Sequence, residues 1–191
     1  MKTIVINRED RPERLAATKE QLDRFGIEFE VFPAVIGGWK GCRLSHLGVL
    51  EKYINEDRIL IFEDDIHFLQ YPQQALEKAF NELPEDWDLL YLGISPLKKY
   101  ERYSEHLFKV NGGYTTHAIL YNNRDDSVIE YILRHRDNVI KWDLFLSNVI
   151  HPLFKCFCIY PMTVTQRRER SDTCKYADVS SILRNYQKYC R

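Results

Sequence analysis

The chain has 191 residues, of which 45% are hydrophobic, and a formal net charge of -1. That length supports one domain with a substantial core. The near-zero charge gives no general pull toward nucleic acid or membrane lipid, and no apolar run is long enough to form a transmembrane segment.

The first residues, Met1 to Asn7, lack the long apolar stretch of a signal peptide and read as an opening strand over Ile4 to Ile6. Pro12 then starts a helix with Leu15, Leu22 and Phe25 at helical spacing, and Gly26 is placed to end it. Phe29, Val31 and Val35 suggest a second strand. After Gly37-Gly38 the residues Leu44, Leu47, Leu50 and Ile54 form a second helical stripe. Ile59-Leu60-Ile61-Phe62 is a continuous apolar run, as in a parallel strand buried on both faces. It stops at Glu63-Asp64-Asp65. Pro72 opens a helix to about Leu83, and Asp88 to Leu92 reads as a strand. This alternation predicts an α/β fold with a mostly parallel, Rossmann-like sheet flanked by helices. Further strands are expected over Leu107 to Val110, Thr116 to Tyr121 and Phe154 to Tyr160. Helices are expected near Ser127 to Arg136, over Trp142 to Ile150, and from Val179 to Tyr189. No linker or repeat interrupts the chain, so residues 1–191 read as a single domain. The five cysteines (Cys42, Cys156, Cys158, Cys174, Cys190) follow no disulfide or zinc spacing and read as reduced thiols in a cytoplasmic setting.

The acidic triplet is the chemical focus. It follows a buried strand, at the sheet end where ligands bind in open α/β folds. Adjacent carboxylates repel one another in a cleft, and a divalent cation relieves that repulsion. Oxygen ligands suit manganese or magnesium. If the chain stays extended, Glu63 and Asp65 point together and Asp64 points away. Such a pair can hold a metal that bridges a diphosphate. The plainer alternative is a solvated turn in which an aspartate caps the next segment.

Several blocks together resemble glycosyltransferase family 25, the lipooligosaccharide and collagen-type galactosyltransferases. Ile4-Val5-Ile6-Asn7 with Arg11-Pro12-Glu13-Arg14 resembles the family's opening strand and Asn…Arg…Arg signature. Gly41-Cys42-Arg43-Leu44-Ser45-His46 resembles its Gly-Cys-x-x-Ser-His helix start, and Ile61-Phe62-Glu63-Asp64-Asp65 its strand-borne acidic motif. Thr116-His117-Ala118, Trp142-Asp143-Leu144-Phe145-Leu146 and Tyr160-Pro161…Thr165-Gln166…Ser171-Asp172 resemble three later blocks. Arg8 departs from the pattern, where the family usually has an apolar residue. Lys98 to His106 matches no family block.

The resemblance implies a GT-A-like fold and an inverting, metal-dependent transfer of a hexose, galactose or glucose, from a UDP-sugar. The acceptor would be a hydroxyl of a glycan or of a hydroxylysine-type side chain. It implies Glu63 and Asp65 as ligands of Mn2+ or Mg2+. Asn7, Arg11, Arg14, Ser45, His46, Asp64, Thr116, His117 and Gln166 would surround the nucleotide sugar. Arg forks suit phosphate oxygens, although Arg11 and Arg14 also fit an exposed first helical turn. Ser45 and His46 fit either ligand contact or helix packing, and His117 fits either the site or the core. Gln166 opens a basic stretch with Arg167, Arg168 and Arg170. That stretch reads either as a segment closing over the diphosphate or as a solvated surface run. Asp143, in apolar surroundings, is the expected general base, with a helix N-cap as the competing role. A non-catalytic nucleotide-sugar-binding protein and a magnesium-dependent phosphohydrolase are the alternative functions.

Overall fold

The computed structural model describes residues 1–124, 127–167 and 179–190. In chain order the elements are β1 (Lys2–Asn7), α1 (Pro12–Arg24), β2 (Glu30–Pro33), α2 (Gly38–Lys52), β3 (Arg58–Glu63) and β4 (Ile66–Phe68). Then follow α3 (Pro72–Glu82), β5 (Leu89–Tyr91), β6 (Ser95–Pro96), β7 (Glu101–Arg102), β8 (Leu107–Lys109), β9 (Gly113–Tyr114) and β10 (Ala118–Asn122). The last elements are α4 (Val128–Arg134), α5 (Trp142–Phe145), a π-helical turn (Leu146–Ile150), α6 (His151–Leu153), β11 (Cys156–Ile159), β12 (Val164–Gln166) and α7 (Val179–Tyr189).

Eight strands form one sheet in the order β2-β1-β3-β10-β5-β11-β8-β7. Strands β2, β1, β3, β5, β11 and β7 run one way, while β10 and β8 run against them. The expected α/β architecture holds. The insertion of antiparallel β10 between β3 and β5 was not legible, because a buried antiparallel strand has the same apolar run as a parallel one.

Helices cover both faces, which explains why Ile4 to Ile6 and Ile59 to Phe62 are buried without alternation. Ile4, Ile6, Ile59 and Ile61 face a core shared with Leu47 and Leu50 of α2 and Ile129 and Ile132 of α4. Val5, Leu60 and Phe62 face the opposite core with Leu22 of α1 and Leu76 and Ala79 of α3. Each large apolar side chain among these contributes about 1.5–3 kcal/mol when fully buried. One expected stripe is corrected, since Leu44 is exposed. Leu22 is fully buried, with Leu15 and Phe25 partly buried against the same core, and Arg14 and Thr18 share the inner face of α1. Polar residues take that face because α1 packs beside the acidic turn instead of wholly against apolar surface.

Helix α1 begins with Pro12 in its first turn. It ends where Gly26, at φ 62, lets Ile27 N donate to Leu22 O at 3.0 Å. The Cys42, Cys156, Cys158 and Cys190 thiols are free. Among the described residues, no helix is long and apolar enough to cross a membrane.

His151 is buried near the start of β9. Gly112 N donates to its Nδ1 at 3.2 Å, so Nε2 carries the ring proton and faces Tyr91 Oη at 2.8 Å. Burial pushes its pKa down from the ordinary 6.5 to about 3. The folded state therefore holds a neutral ring, and the unfolded chain binds the proton first. This contribution to stability is complete above pH 6.5 and is lost as pH falls toward 3. Denaturant unfolding of His151→Gln at pH 7 should show a loss of about 1–3 kcal/mol from the broken buried hydrogen bonds. Its stability should also fall less steeply than wild type between pH 6.5 and 3. Parallel pH profiles would contradict this assignment.

Candidate functional site

The site lies beyond the carboxyl ends of β1, β2 and β3. Its cleft is lined by Ile6 and Arg8 at the end of β1, by Ala34 to Gly38 after β2, by Cys42, Ser45 and His46 of α2, and by Arg14 of α1. Glu63, Asp64 and Asp65 complete the wall.

Strand β3 ends at Glu63, and Asp64-Asp65 form a turn. The extended alternation expected through the triplet therefore stops there, and Asp64 does not point away from the cleft. Arg14 Nη2 meets Asp64 Oδ1 at 2.9 Å and Asp65 Oδ2 at 3.1 Å. The turn is also held from below. Thr18 Oγ1 donates to Asp64 O at 2.8 Å, and Gln21 Nε2 donates to Ile66 O at 2.9 Å. Arg167 donates to Ile66 O at 2.9 Å and to the backbone carbonyl of Asp64. Arg167 thus clamps the acidic turn and does not lie solvated on the surface. Arg168, Arg170, Ser171 and Asp172 lie outside the described residues.

Gln166 reaches the same turn because β12 pairs antiparallel with β4, in register Gln166 to Ile66. Its Nε2 donates to the Asp65 carboxylate at 3.1 and 3.3 Å. Glu63 is held differently. Thr116 Oγ1 donates to Glu63 Oε1 at 2.6 Å, and His46 Nε2 lies 3.3 Å from the same oxygen. The His46 ring stacks on Trp142 with centroids 5.4 Å apart.

The two outer acids titrate in opposite directions. Burial pushes Asp65 up to about 7, aided by the negative charges of Glu63 and Asp64, despite Arg14 and Gln166. Burial also raises Glu63, but the His46 and Thr116 contacts outweigh it and hold the carboxyl below its ordinary range. The Cys42 thiol is pushed up by burial and by the charges of Glu63, Asp143 and Asp65. The donor set of hard carboxylate oxygens, in which Glu63 and Asp64 raise the proton affinity of Asp65, fits a divalent cation.

The remaining expected residues divide. Ser45 Oγ accepts from Val35 N and donates to Gly41 O, each at 2.8 Å, so it fixes the loop that forms the cleft's lip. Asn7 is buried at the end of β1, and its Nδ2 donates to Arg8 O at 2.8 Å. Arg11 is the N-cap of α1 and does not line the cleft. His117 is fully buried, and its Nε2 faces Val164 O at 3.2 Å. Burial keeps that ring's pKa low. Asp143 is half-buried in the first turn of α5, where Lys141 holds the N-cap position. Burial raises its pKa, a backbone bond from Leu144 N at 2.9 Å opposes this, and the Glu63 charge adds to the rise.

Three features were missed. Arg8, noted only as a departure, lines the cleft and pairs with Asp10 at 2.6 Å. Thr115 has φ 73, a left-handed conformation that β-branched residues resist, directly before Thr116. Gly41 has no room for a side chain, since a Cβ there would sit 2.1 Å from Val35 O. The Gly of the helix-start block was the signal for that close approach.

The family model "Glycosyltransferase family 25 (LPS biosynthesis protein)" matches residues 36–132, about half of the chain. The chain belongs to glycosyltransferase family 25. It is 29% identical to a glycosyltransferase 25 family member of Aedes aegypti over 129 residues, covering 50% of this chain and 21% of that protein. The chain spans about a fifth to a quarter of the length of the curated relatives it matches. Among solved structures it resembles A197 from STIV, with TM-score 0.59, 16% identity, and 88% and 87% of the two chains covered. It also resembles an active-site mutant of LgtC, with TM-score 0.53, 10% identity, and 100% and 95% covered. At these identities the likeness is one of fold, the GT-A glycosyltransferase fold.

The Gly41 and Ser45 contacts make a paired prediction about the cleft's lip. Ser45→Ala leaves Val35 N without its acceptor and should destabilise the chain by about 1–3 kcal/mol. Gly41→Ala forces the Val35 backbone away and should cost at least as much, about 1–3 kcal/mol from overpacking. Denaturant midpoints of both variants check this, with wild-type midpoints as the contrary result.

Proposed function

We propose that this chain is one GT-A-like catalytic unit that moves a hexose, galactose or glucose, from a UDP-sugar to an acceptor hydroxyl with inversion. The acceptor is a glycan or a hydroxylysine-type side chain. The observation that carries this reading is the buried acidic turn after β3, fixed at its carboxylates by Arg14, Gln166, Thr116 and His46.

Glu63 and Asp65 are the residues that would hold Mn2+ or Mg2+, and Asp64 faces the nucleotide sugar beside them. Bound there, the cation supplies neutralisation of the diphosphate's negative charge. Arg14 and Gln166 keep Asp65 in place, and Thr116 with His46 keeps Glu63 in place, so the acids need no rearrangement when the donor enters. The lip from Ala34 to Gly38 with Ser45 forms the wall for the nucleotide. Asn7, Arg11 and His117 act from behind the cleft by shaping the end of β1 and the entry to β10.

In the reaction, the acceptor oxygen forms a bond to the anomeric carbon while the bond from that carbon to the diphosphate oxygen breaks. Asp143 takes the acceptor's proton and ends as the neutral acid. Its half-buried setting raises its proton affinity in the direction a base needs.

Asp143→Asn should retain donor binding and lower turnover by about 10²–10⁴-fold, the usual contribution of a general base. Asp65→Asn should instead lose manganese-dependent UDP-sugar binding. Nucleoside diphosphate release with and without acceptor, alongside calorimetric donor binding, separates the two. Full turnover by Asp143→Asn would remove it from the base role. Phosphate release from simple esters would favour a phosphohydrolase. Tight donor binding without turnover under any acceptor would favour a binding protein.

A further inference from the structure

The cleft holds a second set of ligand atoms with different chemistry. Cys42 and His46 are one helical turn apart on α2, and Glu63 ends β3 opposite them. The Cys42 Sγ, a ring nitrogen of His46 and a Glu63 carboxylate oxygen all lie within 4.8 Å of one another. We propose that Cys42, His46 and Glu63 form a soft cation site that takes Zn2+ reversibly and, by engaging Glu63, antagonises the manganese-dependent reaction. The antagonism rests on the donor-site reading above, because Glu63 belongs to both sets.

Geometry supports this set. Zinc bound to nitrogen and oxygen at about 2.0–2.1 Å in a tetrahedron places those two atoms about 3.3 Å apart. His46 Nε2 and Glu63 Oε1 are 3.3 Å apart, long for a charge-assisted hydrogen bond but matching that tetrahedral edge. Both partners are already oriented. The His46 ring is fixed by its stack on Trp142, and Glu63 is fixed by Thr116 Oγ1 at 2.6 Å. Sulfur and imidazole discriminate between cations, since they suit zinc while carboxylate oxygens suit manganese and magnesium.

Binding breaks the Cys42 S–H bond, forms a zinc–sulfur bond and releases one proton to solvent. With Nε2 on the zinc, the imidazole's ring proton sits on Nδ1. That Nδ1 is buried and has no hydrogen-bond partner. A ligating histidine ordinarily donates its second N–H to an acceptor. The missing acceptor weakens the site relative to a structural zinc centre, which is why occupancy is reversible. Three protein ligands leave a fourth position for water.

Cobalt(II) is the spectroscopic probe. Titrated into the intact chain, Co2+ should give a sulfur-to-cobalt charge-transfer band that equimolar Zn2+ bleaches. Cys42→Ser and His46→Gln should each lose the band, and Cys174→Ser should keep it. In the same samples, Zn2+ should weaken manganese-dependent UDP binding several-fold, and a chelator selective for zinc should restore it. Absence of the band, or its persistence in Cys42→Ser, overturns the site. A normal band with no effect of Zn2+ on manganese-dependent UDP binding overturns the shared use of Glu63. A normal band with no manganese-dependent UDP binding at all overturns the donor-site reading and leaves the Cys42–His46–Glu63 site standing.

Discussion

Negative charge gathered at the end of a buried strand is the constraint around which the molecule is arranged. Glu63 closes β3, and Asp64 and Asp65 follow in a turn instead of continuing the strand. Burial pushes Asp65 up to about 7, and the negative charges of Glu63 and Asp64 add to the rise. The protein answers with Arg14, which touches both aspartates from α1. A buried ion pair of this kind is weak evidence of net stability, because desolvation offsets much of its attraction. Its role is to fix geometry, and the surrounding bonds from Thr18, Gln21 and Arg167 to the turn's backbone serve the same end.

That constraint explains the composition of α1. A helix packed on a sheet normally presents an apolar stripe. Here the inner face carries Arg14 and Thr18 before it reaches Leu22, since the first turns of α1 lie against polar backbone. It also explains why β12, far away in sequence, returns beside β4. Only that pairing brings Gln166 onto Asp65 and Arg167 beneath Asp64. On the other side of the cleft, Thr116 performs the equivalent service for Glu63 from the entry to β10. The site is thus assembled from segments far apart in the chain, each reaching the same edge of the sheet.

Much of this was legible in the chain itself. The runs Ile4 to Ile6 and Ile59 to Phe62, the Pro12 and Pro72 helix starts, and the acidic triplet each carry a local signal, and each lies close to where that signal puts it. The strands β4, β6, β7, β9 and β12 are two or three residues long, too short to show a period, and they exist because of their partners. Leu44 misled because helical spacing does not by itself bury a leucine, and this one faces solvent. The role of Arg167 was hidden for a related reason. A basic run looks solvated until the carbonyls it binds are known, and those carbonyls belong to residues 14, 64 and 66. Periodicity encodes neither a donor nor a reaction, and both were expectations that the family resemblance implied.

The proposed donor site depends on where a manganese ion comes to rest when UDP is bound. Crystals grown with manganese and UDP, measured at a wavelength where manganese scatters anomalously, would locate it. A peak between the carboxylates of Glu63 and Asp65, with diphosphate oxygens completing its shell, is the predicted result. A peak elsewhere, or diphosphate bound in that cleft with no ion against either carboxylate, would contradict it.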